Sequence, residues 1–274
     1  DKLIGGMSCY DGSLGYFIAR DHWSKGYASE MGHAAIARAF AVTDWDQITA
    51  EVMLGNPGSV KVLEKLGFMY SGPCQCSSVA QGGDFDASQF ILSRADWLAA
   101  NPLHIETDRL VIRAFGPNDT AAFHAFASHN EVARMMHSIP HPLSMEQAQD
   151  WIDGRVYNGQ IGFCPGVYLQ DGTLIGTLGI GGDPVSTAYF FDPNHWQQGY
   201  ATEAMRGFLA AMFSKFDLTE IEAGAMVDNP ASQRVLEKLG FTATGRKLHQ
   251  SNQRLEPDPL ILYRLTQTQF KAAT

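Results

Sequence analysis

A repeat held at one constant offset constrains this chain more than any other feature. His22-Trp23-Ser24-Lys25-Gly26-Tyr27-Ala28-Ser29-Glu30 matches His195-Trp196-Gln197-Gln198-Gly199-Tyr200-Ala201-Thr202-Glu203. Asn56-Pro57-Gly58-Ser59 through Gly67-Phe68 matches Asn229 through Phe241 at the same offset. Leu3-Ile4-Gly5 matches Leu174-Ile175-Gly176 with a small length difference. One such pair is compatible with chance, but two in one register read as duplication of a structural unit. Residues 104–170 have no counterpart before Asp1. The second copy, 104–274, therefore reads as a complete domain of ordinary size. The first, 1–103, reads as the second half of the same fold, with Asn101-Pro102 near the boundary.

Bulk properties exclude several classes. The chain has 274 residues, 45% apolar and 18% charged, which is enough material for two packed cores. A net charge of −9 and the lack of a basic stripe argue against a nucleic-acid partner. No apolar run approaches the length of a membrane helix, and no signal peptide opens the chain, which lacks an initiator Met. The four cysteines are Cys9, Cys74, Cys76 and Cys164. Cys74-Gln75-Cys76 is too short for a usual zinc or redox motif, so no metal site is expected. So few cysteines in a chain of this size indicate a reduced, cytoplasmic protein.

The complete copy alternates strand and helix signals. Arg109–Arg113 alternates apolar and polar residues, as a strand does. Pro117-Asn118-Asp119 offers turn and capping chemistry for a helix from Thr120 to Ser128. Ser144 with Gln147 forms a capping box for a helix reaching about Tyr157. Val167–Leu169 and Leu174–Ile180 flank an Asp-Gly hairpin turn. Thr187–Phe191, Ile221–Val227 and Pro259–Tyr263 are further strands. Helices follow over Gly199–Phe213 and Pro230–Leu239, the latter opened by proline and closed by Gly240. The resulting order, β-α-α-β-β-β-α-β-α-β-β, predicts a mixed α/β (α+β) sheet, mostly antiparallel early, with helices on its faces.

A strand that runs through a glycine turn into a helix N-terminus presents unpaired N–H groups and a favourable dipole to an anion. The loop Gln197-Gln198-Gly199-Tyr200-Ala201 has that form, as does a plain glycine turn. It is neither a Walker sequence nor the dinucleotide fingerprint. It resembles the pyrophosphate-binding loop of the GNAT acetyltransferases, Q/R-x-x-G-x-G/A. Trp196 stands at the position of the family's usual Gln or Arg. That departure, and Trp196 through Ala204 as a whole, is similar to the W-x-x-G-Y-A-T-E-A loop of the ribosomal-protein N-terminal acetyltransferase (Rim) branch. Three further segments resemble the same branch: Thr107–Arg113, the Leu174-Ile175-Gly176 run, and Asp228–Ser232 followed by Leu239-Gly240-Phe241.

This resemblance implies an acyl-CoA N-acyltransferase (GNAT) fold, complete in the C-terminal copy and partial in the N-terminal one. It implies acetyl-CoA as cosubstrate and direct attack of a primary amine on the thioester. Gln197, Gln198, Gly199, Tyr200, Ala201 and Thr202 would bind the pyrophosphate. A backbone N–H at Phe190 or Phe191 would stabilise the oxyanion. Asn229 would bond the pantetheine arm, or simply hold its turn. The tyrosine that many relatives use to protonate the leaving thiolate falls at Leu236, which leaves Ser232, itself alternatively a capping serine. No carboxylate occupies Ser186–Tyr189, so Glu222 acting through a water, Tyr189, His137 or no dedicated base at all remain open. The acceptor, an amine-bearing small molecule or a peptide N-terminus, would meet the segment from Met135 to Asp153 and the late strands near Arg246–Arg254. A homodimer is compatible with this reading. So are a longer acyl donor such as succinyl-CoA and a non-catalytic CoA-binding or scaffold protein. The shorter copy keeps Gly26, Tyr27, Ala28, Asn56 and Ser59, yet the expectation is that it is structural and that catalysis lies in the second copy.

Overall fold

A computed structural model describes residues 2–78, 83–136, 139–249 and 258–273. The chain divides into two compact units, Asp1–Pro102 with Asn158–Gln160, and Leu103–Tyr157 with Ile161–Thr274. No helix among the described residues is long and apolar enough to cross a membrane.

The first unit runs β1 (Gly5–Tyr10), β2 (Ser13–Ile18), α1 (Tyr27–Val42), β3 (Gln47–Met53), α2 (Pro57–Lys65), β4 (Met69–Ser78), β5 (Gly83–Ser93) and α3 (Arg94–Ala100). Its sheet order is β1-β2-β3-β5-β4. Alternation along β3 buries Ile48, Ala50 and Val52 while Gln47, Glu51 and Met53 stay exposed. The buried set packs with Ile36 and Phe40 of α1, Leu63 of α2, and Phe90 and Leu92 of β5.

The second unit runs β6 (His104–Glu106), β7 (Leu110–Arg113), α4 (Thr120–Ala127), α5 (Asn130–Ala133), α6 (Met145–Asp153), β8 (Gly166–Leu169), β9 (Leu174–Gly181), β10 (Ser186–Phe191), α7 (Tyr200–Phe216), β11 (Glu220–Met226), α8 (Pro230–Lys238), β12 (Thr242–His249), β13 (Asp258–Thr266) and α9 (Gln267–Ala273). The sheet order is β12-β13-β11-β10-β9-β8-β7-β6, antiparallel except where β10 meets β11. The expected element order holds. Beyond it, the structure adds β6, the short α5 and α9. The capping box at Ser144 and Gln147 forms, but α6 ends at Asp153, short of Tyr157.

Two local features shape the centre of this sheet. Gly176 faces Phe191 across the β9–β10 ladder, and a Cβ there would stand 2.5 Å from Cδ1 of that ring. The Leu-Ile-Gly run thus needs its glycine for a close approach. Helix α7 buries Ala204, Met205, Phe208, Leu209, Met212, Phe213 and Phe216 on one stripe. Phe208 is wholly buried, so truncating it to alanine would cost about 3–5 kcal/mol. On the opposite face, Phe190 joins Phe123 and Phe126 of α4 and Trp151 of α6 in an aromatic cluster.

Candidate active site

The site begins where the sheet comes apart. Strands β10 and β11 are parallel neighbours for only two residue pairs, Ser186 with Glu222 and Thr187 with Ala223. Beyond them the ladder stops, and the carboxyl ends of the two strands border a gap. A crevice at the carboxyl ends of parallel strands is where open α/β sheets bind ligands. The loop leading to α7, the end of β11 and the start of α8 all gather at this end.

The register decides which backbone groups face the gap. Asp192 N–H bonds to Ile175 O of β9 at 2.8 Å. Along a regular ladder the amides of Phe190 and Ala188 point the same way, toward β9. The amides of Phe191 and Tyr189 point the other way, into the gap. Of the two predicted oxyanion donors, only Phe191 is directed there; the N–H of Phe190 is spent on the β9 ladder. That correction comes from strand alternation, which spacing alone leaves in either phase.

The loop itself is an uncapped helix start. Gln197 has φ of 61° and Gly199 has φ of 82°, both left-handed, and Trp196 Nε1–H closes the turn on Phe191 O at 2.8 Å. Gly199 is the N-cap of α7 and supplies no side-chain acceptor. The first intrahelical bond runs from Glu203 N–H to Gly199 O, so the N–H groups of Tyr200, Ala201 and Thr202 have no helical partner. By contrast, α6 is capped by Ser144 and α8 by Asn229. A helix start left without a side-chain cap at such a gap has its donors free for an anion.

Two residues absent from the predicted site hold this loop. Glu203 accepts from Thr107 Oγ1 at 2.7 Å, from Arg109 N–H at 2.8 Å and from Arg109 Nε at 2.7 Å. Arg109 also donates to Gln198 O at 3.1 Å, and its guanidinium lies 4.5 Å from the centre of the Tyr200 ring. Its Nη2 stands 3.5 Å from where a Cβ on Gly199 would be. Burial pulls the Glu203 carboxyl upward, but the bonds from Thr107 and Arg109 and the arginine charge outweigh it, and its pKa is lowered. The signal was in the sequence: Thr107 and Arg109 belong to one family-like segment and Glu203 to another. Nothing local says that the two interlock.

Two of the predicted catalytic residues meet. Tyr189 OH lies 2.9 Å from Ser232 Oγ. Burial, chiefly, pushes the Tyr189 phenol up to about 12; the bond to Ser232 opposes this and Tyr263 adds to it. A phenol so placed stays protonated at neutral pH, which suits a donor and not the base role considered for it. Asn229 accepts from Ser232 N–H at 3.0 Å and so caps α8. Among the described residues, its amide NH2 has no hydrogen-bond partner.

Glu222 is not brought to this pair. It sits opposite Ser186 at the closed end of the gap, half-buried. Alternation puts it on the face of Ser186, Ala188 and Phe190, the face that α4 and α6 cover, and away from Tyr189. His137 and the segment from Gln250 to Arg254 lie outside the described residues. A separate pocket lined by Phe115, Gln149, Asp153, Arg155 and Cys164 includes none of the residues around the gap.

The first unit repeats the loop geometry without its support. Ser24 and Gly26 have φ of 60° and 86°, Trp23 bonds to Ile18 O at 2.7 Å, and Asn56 accepts from Ser59 N–H at 3.1 Å. Tyr16 stands where Tyr189 does, but its hydroxyl is buried without a partner. Glu30, the match of Glu203, makes no side-chain hydrogen bond or ion pair among the described residues.

A family model described as an acetyltransferase (GNAT) domain matches residues 2–69 and 109–242, more than half of the chain. An uncharacterized N-acetyltransferase of Bacillus subtilis, YoaA, is 33% identical over 149 residues, covering 52% of this chain and 84% of its own. The crystal structure of a GNAT-family acetyltransferase from Bacillus anthracis covers 60% of this chain and 98% of its own, with a TM-score of 0.53 and 24% identity. Spermidine N-acetyltransferase from Vibrio cholerae, in complex with CoA and spermine, covers 60% of this chain and 99% of its own, with a TM-score of 0.53 and 16% identity. At these identities the structural matches speak to the fold.

Proposed function

The chain belongs to the GNAT acetyltransferase family, and from that premise we propose that residues 104–274 move an acetyl group from acetyl-CoA to a primary amine by direct attack in a ternary complex. The observation that carries this is the uncapped N-terminus of α7 at the mouth of the β10–β11 gap, with the Tyr189–Ser232 pair across from it. The CoA pyrophosphate would take the free N–H groups of Tyr200, Ala201 and Thr202, with Gln197, Gln198 and Gly199 shaping the turn. The pantetheine arm would lie in the gap and bond to the amide of Asn229. The thioester oxygen would receive the Phe191 N–H as negative charge develops on it. The departing thiolate would take a proton from Ser232, itself resupplied by Tyr189. Placement of Ser232 in the first turn of α8 adds the favourable end of the helix dipole. Glu222, on the face of α4 and α6, would receive the amine's proton through a water; an amine of modest pKa would lose it to solvent.

The Rim-type reading rests on Trp196 through Ala204, and the acceptor in this proposal is an amine-bearing small molecule or a peptide N-terminus. The V. cholerae relative was solved with spermine, which makes polyamines the first small molecules to try. Unit 1 is in this reading a partial duplicate, 1–103, that keeps the loop and is structural, with catalysis in the second copy. The absence of a carboxylate on β10 favours one alternative, a protein that binds CoA without turnover. An assay of free CoA release by the full chain, over a panel of polyamines and short peptides, separates the two. Turnover that vanishes in Gly199→Glu supports the transferase. Tight acetyl-CoA binding with no turnover on any amine leaves the binding protein.

A further inference from the structure

We propose that Glu51, Cys74 and Cys76 of the first unit form a binding site for a thiophilic divalent cation of the zinc type. Spacing alone gives Cys74-Gln75-Cys76 no metal signature; the fold adds the donor that the spacing lacks. Residues two apart on a strand point to one face, so both thiols of β4 share a side. A bulge between Tyr70 and Gly72 decides which side. Before it, Tyr70 pairs with Phe90, a core residue; after it, Cys74 pairs with Ala87 and Cys76 with Phe85. The bulge thereby turns both cysteines away from the core, the re-aiming that bulges commonly perform. Glu51 pairs with Gln89 on that same outward face. The intervening strand β5 carries Phe85, Ala87 and Gln89 on this face, and the Glu51 side chain spans the strand to reach Cys76.

The distances fit one ion. Cys76 Sγ–H donates to Glu51 Oε2 at 2.9 Å, the two sulfurs are 4.0 Å apart, and one donor atom from each residue lies within 4.8 Å of the others. Two sulfurs about 2.3 Å from a tetrahedral zinc stand about 3.8 Å from each other. Movements of up to about an ångström would close the set, with the fourth position open to water or a further ligand. Burial, and the bonds to Glu51 and Cys74, hold the Cys76 thiol above its ordinary range. A bound cation would replace the proton now shared with Glu51, so binding releases protons and strengthens as pH rises. The matching positions of the second unit are Gly224, Lys247 and His249, which keep one imidazole but neither the carboxylate nor a thiol. The site therefore belongs to the first unit alone.

The test is a titration of the reduced, metal-free full chain with Co²⁺ and Cd²⁺, read by thiolate-to-metal charge-transfer absorbance and reversed with Zn²⁺. The expected result is one saturable site per chain. The band should vanish in Cys74→Ser and in Cys76→Ser and persist when Cys9 and Cys164 are both replaced by alanine. Glu51→Gln should weaken binding by at least the roughly tenfold that loss of even an outer-shell partner costs. Circular dichroism and melting of each variant check that it is folded. No band at stoichiometric metal, a band that survives Cys76→Ser, or full affinity in Glu51→Gln each overturns the proposal.

Discussion

Replacing Arg109 tests whether the anion loop is held from a distance. In Arg109→Ala the Glu203 carboxylate keeps its bonds from Thr107 Oγ1 and from the backbone N–H of residue 109, because neither uses the arginine side chain. The fold should therefore survive. What is lost is the ion pair to Glu203, the bond to Gln198 O and the stack on Tyr200. A hydrogen bond between charged groups contributes about 1.5 kcal/mol or somewhat more. A cation–π contact at a half-exposed site adds about 0.5–1 kcal/mol. The arginine side chain is 47% exposed, so solvent screening holds the sum near 2 kcal/mol. If all of that orders the loop, the dissociation constant for acetyl-CoA rises about 30-fold; if part is felt only as global stability, about 5-fold. Calorimetry gives the binding constant, and steady-state kinetics should show the loss in KM for acetyl-CoA while kcat changes little. Arg109→Lys should fall between, since a point charge cannot serve Glu203 and Gln198 together. A folded Arg109→Ala that binds acetyl-CoA within about twofold of the parent refutes the reasoning.

Further expectations follow from the same geometry. Ser232→Ala and Tyr189→Phe should each lower kcat by about 100-fold or more with little change in KM, the scale on which proton donors act; unchanged kcat in both removes the pair from the mechanism. With its pKa raised to about 12, Tyr189 should leave no alkaline limb in the rate profile near neutral or mildly basic pH, so a limb there that Tyr189→Phe abolishes would contradict a protonated donor. The Glu203 carboxyl is depressed by its partners, so its stabilising effect is present above an unfolded pKa of about 4.3 and is lost as pH falls through its lower folded value. The difference in melting temperature between the parent and Glu203→Gln should accordingly shrink below about pH 4.3. Calorimetry should count one acetyl-CoA per chain, absent in Gly199→Glu; two sites would show that the first unit binds CoA as well.

What the sequence made legible was local, and what it hid was the pairing of distant segments. Asn229, Ser144, Gly199 and Gly240 announce their helix ends because a cap is decided by residues within one turn. The left-handed turn at Gln197 and Gly199, with Trp196 bonded back to Phe191, recurs at Ser24, Gly26, Trp23 and Ile18, where the matching Glu30 makes no side-chain bond among the described residues. The loop's shape is thus written into its own residues. Its support is not, because Arg109 and Glu203 lie far apart in the chain. Phe190 against Phe191 could not be settled either, since adjacent strand amides point in opposite directions and only the ladder with β9 fixes the phase. Glu222 and Tyr189 were alternatives for one role, and strand alternation sets them on opposite faces of the sheet.

The same division explains how the two units can share a motif and differ in capacity. The turn at Ser24 and Gly26 has the same backbone as that at Gln197 and Gly199, and α1, like α7, starts without a side-chain cap. In the second unit Thr107 and Arg109 neutralise and fix the Glu203 carboxylate in the first helical turn, whereas Glu30 has no such side-chain partner among the described residues. Glu30 is an exposed charge on the very turn whose N–H groups would have to meet an anion, and the Tyr16 hydroxyl is buried with no hydrogen-bond partner among the described residues although Ser59 stands at the position of Ser232. A carboxylate left uncompensated one turn from a phosphate site opposes anion binding where a neutralised one does not. Substituting Glu30 by glutamine removes that charge and should raise any residual affinity of unit 1 for CoA, measured in Gly199→Glu so that only the first loop is read. If Glu30→Gln leaves that affinity unchanged, charge at this turn is not what separates the two units.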